Sequence, residues 1–137
     1  MKRTITLKNY SVGEGACKCG CGAQLEDSIV FATQAFISVL ERIYGVPVRH
    51  ILTSGARCPK HNADEKGEPD SQHINRIAVD GIFQALIEGK WRQIDNADIG
   101  AHARKSGLFG GIGYVEYRRK GKNLVHLDVR PGQPAVW

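Results

Sequence analysis

Residues 125–130, "VHLDVR", alternate strictly between apolar and polar. Successive side chains of a strand leave opposite faces, so Leu127 and Val129 point one way and His126 and Asp128 the other. A chain containing this run has to build a sheet with one apolar face and one face that carries chemistry. A second short run, "IAVDGIF" at residues 77–83, reads as another strand, with the charge of Asp80 set inside it. His73 precedes that aspartate by seven residues in "SQHINRIAVD". Taken alone, His73 suits a surface position and Asp80 a turn; taken together, both can reach one metal ion.

The remaining elements follow from periodicity and punctuation. Residues 25–44, "LEDSIVFATQAFISVLERIY", place Ile29, Ala32, Phe36, Val39, Leu40 and Ile43 at helical spacing. Asp27 or Ser28 is positioned to cap that helix, and Gly45 with Pro47 ends it. "VPVRHILTS" is β-branched and reads as a strand, and residues 54–70, rich in Gly, Pro, Asn and Asp, read as a long loop. "DNADIGAHARKSG" predicts a second helix, capped by Asp95 or Asn96 and closed by Gly107. The segment "GGIGYVEYRRKGKNLVHLDVR" predicts a glycine turn, a strand bearing Glu116, a hairpin turn at "KGKN" and a final strand. This order predicts an α+β fold, a small antiparallel sheet packed with two or three helices, in a single domain over residues 1–137.

Composition excludes several classes. Hydrophobic residues at 42% and charged residues at 24% argue against disorder, and no run approaches about 18 consecutive apolar residues, so no membrane span is expected. The first 15 residues lack the apolar core and cleavage site of a secretory signal, which predicts synthesis in the cytoplasm and action elsewhere only after release. The formal charge of +5 favours polyanions without choosing among nucleic acid, anionic membranes and cell-wall polymers. The one basic cluster, "YRRKGK" at 117–122, reads as a solvated hairpin tip, and "GGIG" lacks the spacing of a phosphate-binding loop. Cys17, Cys19 and Cys21 in "CKCGCG", with Cys58 farther on, suit either a structural metal or disulfide pairing.

His73, Asp80, His126 and Asp128 thus supply two histidines and two carboxylates on strands able to pair. Two histidines and one carboxylate are a common catalytic zinc set. The segments "SGARCPKHN", "SQHINRIAVD", "GGIGY" and "VHLDVR" resemble, in order, the motifs of the D-alanyl-D-alanine carboxypeptidase-type zinc peptidases, which share the hedgehog-type metallopeptidase fold. The similarity is greatest to the murein peptidases of bacteria and phages that end in a His-x-Asp strand. It spans about Cys17 to Trp137 and includes "CKCGCG", which is similar to phage members.

The resemblance implies that His73, Asp80 and His126 bind zinc, that Arg57 and Ser71 face the substrate, and that Arg57 stabilises an oxyanion. It further implies hydrolysis of peptide bonds in peptidoglycan stems or cross-links. With no secretory signal and no separate wall-binding domain read in the sequence, a phage or prophage endolysin-like role and a monomer are expected. The chain departs from the family pattern twice: Arg76 stands where glycine is usual, and Asn123 stands where many relatives carry an acid three residues before the last histidine. Asp128 then becomes the candidate general base, with Glu116 behind it; the other reading of Asp128 is a carboxylate that orients a liganding histidine. Two rival functions remain: a non-catalytic wall-binding module of the same fold, favoured by Asn123, and a zinc-stabilised nucleic-acid binder, which leaves the His and Asp spacing unexplained.

Overall fold

The structure is a computed structural model and describes residues 16–22, 24–57, 59–65, 71–132 and 134–137. Cys58 lies outside the described residues. In chain order the elements are α1 (Asp27–Tyr44), β1 (Val48–Ser54), α2 (Pro59–Asp64), β2 (Ala78–Ile87), β3 (Lys90–Gln93), α3 (Asn96–Ser106), β4 (Gly111–Gly113), α4 (Val115–Arg119), β5 (Val125–Asp128) and β6 (Ala135–Val136). The class is α+β, as expected. The six strands form one sheet in the order β1-β2-β5-β4-β6, with β3 paired to the far half of β2. Every pairing is antiparallel except the parallel pair β4–β6.

Period-two burial divides this sheet into two faces. On one, Val48 and His50 of β1, Val79, Phe83 and Ala85 of β2, Ile112 of β4, and Val125 and Leu127 of β5 are all buried. α1 and α3 cover that face, and Phe36 of α1 sets its ring edge-on to both Phe83 and Phe109 at 5.4 Å. Each such aliphatic or aromatic side chain contributes about 1.5–3 kcal/mol by leaving water. The opposite face carries Asp80, His126 and Asp128.

Several local expectations are corrected. α1 buries Ile29, Val30, Thr33, Phe36, Ile37 and Leu40, so the helix is turned from the expected stripe and Ile43 is exposed. Neither Asp27 nor Ser28 caps it: the cap position is Glu26, which makes no side-chain cap bond. Gly45 does end it in the left-handed conformation. The long loop contains α2, and β3, whose four residues are all exposed, forms a hairpin with β2. The predicted strand bearing Glu116 is instead α4, so "YRRKGK" is not a hairpin tip; Arg118 pairs with Asp95 and Arg119 with Glu116. β5 is followed by β6. α3 is capped as expected, with the Asp95 carboxylate accepting from Ala97 N.

His50 of β1 lies in the apolar core. Its ring packs 4.6 Å from that of Phe83, in space that exists because Gly81 opposite has no Cβ. Burial pushes this imidazole down to about 4, against a smaller opposing pull from the charge of Asp80. An unfolded chain takes up a proton here below about pH 6.5 while the folded protein does not, so stability falls as pH drops from there towards 4. Between pH 7 and pH 5 the native protein should lose about 2 kcal/mol more than His50→Leu, measured by urea unfolding. Equal losses in the two proteins would contradict this account.

Candidate metal centre

Strand register assembles the site. Asp80 of β2 pairs directly with His126 of β5, and His126 pairs on its other side with Gly113 of β4. Residues directly opposite on neighbouring antiparallel strands project to the same face, so Asp80 and His126 meet without help from a loop. His73 arrives from the turn before β2. Ser71 builds that turn: its hydroxyl accepts from His73 N at 3.2 Å and its carbonyl from Ile74 N at 3.1 Å. Arg76 closes the turn at φ +62°, the conformation a glycine would supply, donating its N–H to the His73 carbonyl at 3.1 Å. The substitution of arginine for glycine therefore leaves the turn in place, at a cost of about 1–2 kcal/mol in backbone strain. The Arg76 side chain pairs with Glu26 at 3.1 Å.

One ligand atom each from His73, Asp80 and His126 lies within 4.8 Å of the others. His73 Nε2 is 3.0 Å from Asp80 Oδ2, and His126 Nδ1 is 2.8 Å from Asp80 Oδ1. His73 Nδ1 lies 2.7 Å from the Gly55 carbonyl, which can only accept, so Nδ1 carries a proton and Nε2 is the nitrogen turned to Asp80. In a neutral His73 that leaves a nitrogen lone pair and a carboxylate oxygen facing each other, an arrangement that needs a proton or a cation between them. His126 has a carboxylate at each nitrogen, with Nε2 2.7 Å from Asp128 Oδ2. Burial alone would lower its pKa, but hydrogen bonds and charge from Asp128 and Asp80 raise it to about 9. At Asp80 burial works the other way, raising the pKa, but hydrogen bonds and charge from His126 and His73 outweigh it and hold the carboxyl well below the usual range. His126 Nδ1, facing Asp80 Oδ1, is the position at which a cation would compete with a proton. The donor set fits a divalent ion: His73 Nε2, an Asp80 oxygen and His126 Nδ1.

Asp128 is fully buried and both its oxygens are engaged. Oδ1 accepts from Arg130 N at 3.1 Å and Nε at 2.9 Å; Oδ2 accepts from Arg130 Nη2 at 2.6 Å and meets His126 Nε2. Burial would raise its pKa, but the bonds from His126 and Arg130 hold it well below the usual range. Arg57 stands beside the trio, with Nη2 3.9 Å from Asp80 Oδ2, Nε and Nη2 donating to Ser54 Oγ, and Nη1 donating to Asn62 Oδ1. Its own N–H donates to the His73 carbonyl at 3.0 Å, tying the two loops together. Glu116 is exposed on α4 and paired to Arg119. His61 is on α2, and His102 meets the Tyr44 hydroxyl at 3.2 Å.

Two site residues escaped the sequence reading. The Trp137 ring packs tilted against the His126 ring, 5.3 Å away, and takes the Arg130 guanidinium over its own face at 4.9 Å. Tyr117 is driven up to about 12 by burial and by the charge of Asp80, with Arg57 pulling the other way, so its hydroxyl shares their surroundings. A signal for the first was present. Gly111 and Gly113 alternate on β4 and point to the same face as His126; a Cβ at Gly113 would sit 2.7 Å from the Trp137 indole, and one at Gly111 would collide with the Asp128 carboxylate.

A buried His–Asp–His set on the open face of a sheet, with an arginine at its edge, has the donors to hold a divalent metal ion. A family model for peptidase M15 matches residues 5–128, and the chain belongs to that family of zinc-dependent metallopeptidases. No curated protein and no solved structure matches it.

The Gly111 contact gives a test of how the site is held. Gly111→Ala should push Asp128 off His126 Nε2 and weaken zinc binding by about ten- to a hundredfold, as removal of an orienting carboxylate does. Competition with a chromogenic chelator measures this, with circular dichroism confirming the fold; unchanged affinity in a folded variant would show that β4 does not set the position of Asp128.

Proposed function

We propose that this protein is a zinc peptidase that hydrolyses peptide bonds of peptidoglycan, in stem peptides or cross-links. The observation that carries the reading is the convergence of His73, Asp80 and His126 within 4.8 Å beside Arg57. The formal charge of +5 suits an anionic wall polymer. The similarity of "CKCGCG" to phage members supports an endolysin-like lytic role.

His73, Asp80 and His126 would hold the zinc, which supplies Lewis acidity and an acidified water when bound. Arg57 is held by Ser54 and Asn62 with its guanidinium edge towards Asp80, a position from which it can stabilise negative charge developing on a carbonyl oxygen. Ser71 acts here through the turn that carries His73. Asp128 is read as a positioning residue. Its oxygens are committed to Arg130 and His126, and a carboxylate held so far below its usual pKa is a weak proton acceptor. Through His126 Nε2 it fixes the ring so that Nδ1 faces Asp80. Proton uptake then falls to another group, and Glu116 is the remaining carboxylate of the sequence reading.

Zymography on purified peptidoglycan, with and without chelator, tests the activity: a clearing zone restored by zinc supports it, and none from a zinc-loaded protein favours a binding module. Arg57→Ala should lower turnover by about a hundredfold or more with zinc content unchanged, and Arg57→Lys should rescue poorly because a point charge does not reproduce the guanidinium fork. Loss of zinc along with activity would assign Arg57 to holding the His73 loop.

For Asp128, Asp128→Asn should weaken zinc by about ten- to a hundredfold and regain activity when zinc is titrated in. A fully occupied but inactive Asp128→Asn enzyme, alongside an active Glu116→Gln, would instead make Asp128 the base.

A further inference from the structure

The three cysteines at the start of the described chain converge. Cys17 Sγ and Cys19 Sγ are 3.3 Å apart, and the sulfurs of Cys17, Cys19 and Cys21 all lie within 4.8 Å of one another. A separation of 3.3 Å is far beyond the roughly 2.05 Å of a disulfide. Sulfurs sharing a tetrahedral zinc at about 2.3 Å each stand about 3.8 Å apart, inside the span seen here.

The backbone is shaped for this convergence. Gly20 and Gly22 flank Cys21 at φ +81° and +90°, and Gly20 N closes a turn on the Cys17 carbonyl at 3.2 Å. A residue with a side chain would be strained at either glycine, so the curl that turns Cys21 back towards Cys17 depends on the "CGCG" pattern. Cys17 is buried while Cys19 and Cys21 are exposed, which leaves one side of the sulfur cluster open to an incoming ion.

We propose that Cys17, Cys19 and Cys21 form a second metal site, a structural zinc–thiolate centre separate from His73, Asp80 and His126. Thiolate donors select zinc over the hard cations, and binding releases the three thiol protons to solvent. The site fastens the segment to the sheet where the hydrolytic loop begins: Lys18 Nζ donates to the Thr53 carbonyl at 2.6 Å, and Thr53 Oγ1 donates to the Asp80 carbonyl at 3.1 Å. Zinc at the cysteines would therefore brace the end of β1 from which Ser54 and Arg57 are presented.

Cobalt replacement in the full chain separates the two centres without relying on activity. The metal-free protein should take up about two equivalents of cobalt and show a near-ultraviolet thiolate-to-cobalt charge-transfer band, which a His–Asp–His site cannot give. Cys19→Ser/Cys21→Ser should lose one equivalent and the band, while His126→Ala loses the other equivalent and keeps the band. A wild-type protein that binds a single equivalent with no charge-transfer band overturns the proposal. So does a non-reduced mass lighter by a hydrogen pair, which would assign these cysteines to a disulfide.

Discussion

The site depends on one register, the pairing of β2 with β5 that sets Asp80 opposite His126. Because side chains alternate with period two, a slip of β5 by one residue would turn His126 into the core and expose Val125 and Leu127. The apolar face prevents that slip. Val79, Phe83, Val125 and Leu127 are buried against α1 and α3, and each resists exposure by about 1.5–3 kcal/mol. The polar face could not hold itself in this way, since gathering two carboxylates and two imidazoles out of water carries a desolvation penalty that their mutual attraction only partly offsets. Packing on one side of the sheet thus holds together a cluster on the other side that would otherwise tend to disperse.

The same division explains why small residues gather on β4. With the ligand face crowded by Asp128 and the Trp137 indole, β4 can lie alongside β5 only if Gly111 and Gly113 present no side chain there. Ile112 between them points into the core and holds the strand down. Trp137 is in turn fixed through its backbone, with its N–H on the Ile112 carbonyl and its own carbonyl accepting from Tyr114 and Val115. The Trp137 ring beside His126 is therefore tied to the same short strand that leaves room for the carboxylate behind His126.

How much of this could be read in advance follows from which elements have a periodic face. "VHLDVR" showed its two faces because alternation survives in six residues, and Gly45, Asp95 and Gly107 marked helix ends by mechanisms local to a few positions. α4 reads as a strand in sequence because "VEYRR" alternates apolar and polar for four residues and is too short to display a helical period. β3 has no buried face at all, so nothing in "KWRQ" announces it except the pairing itself. The stripe of α1 was rotated because Val30, Thr33 and Ile37 serve the core, whereas Ile43 lies beyond it near the helix end. Trp137 joins the site through contacts distant in sequence, which spacing does not record.

Asn123 illustrates how a position can lose a catalytic option to a structural one. Its Oδ1 accepts from Asn96 N at 2.7 Å, satisfying a donor in the first turn of α3, while its Nδ2 donates to the Ile94 carbonyl at 3.0 Å and to Gln93 Oε1 at 3.2 Å. The job needs a donor and an acceptor on one short side chain. An aspartate would keep the first bond but set a carboxylate oxygen against the Ile94 carbonyl, leaving a repulsive pair in a half-buried place. Buried Asn96 completes the lock by donating to the Leu124 and Lys122 carbonyls at 2.9 and 3.2 Å. An amide at residue 123 therefore fastens α3 to the segment leading into β5, the strand that carries His126. In this chain the residue three before the last histidine holds the strand in place, and any proton transfer at the site has to be carried out by a side chain from elsewhere.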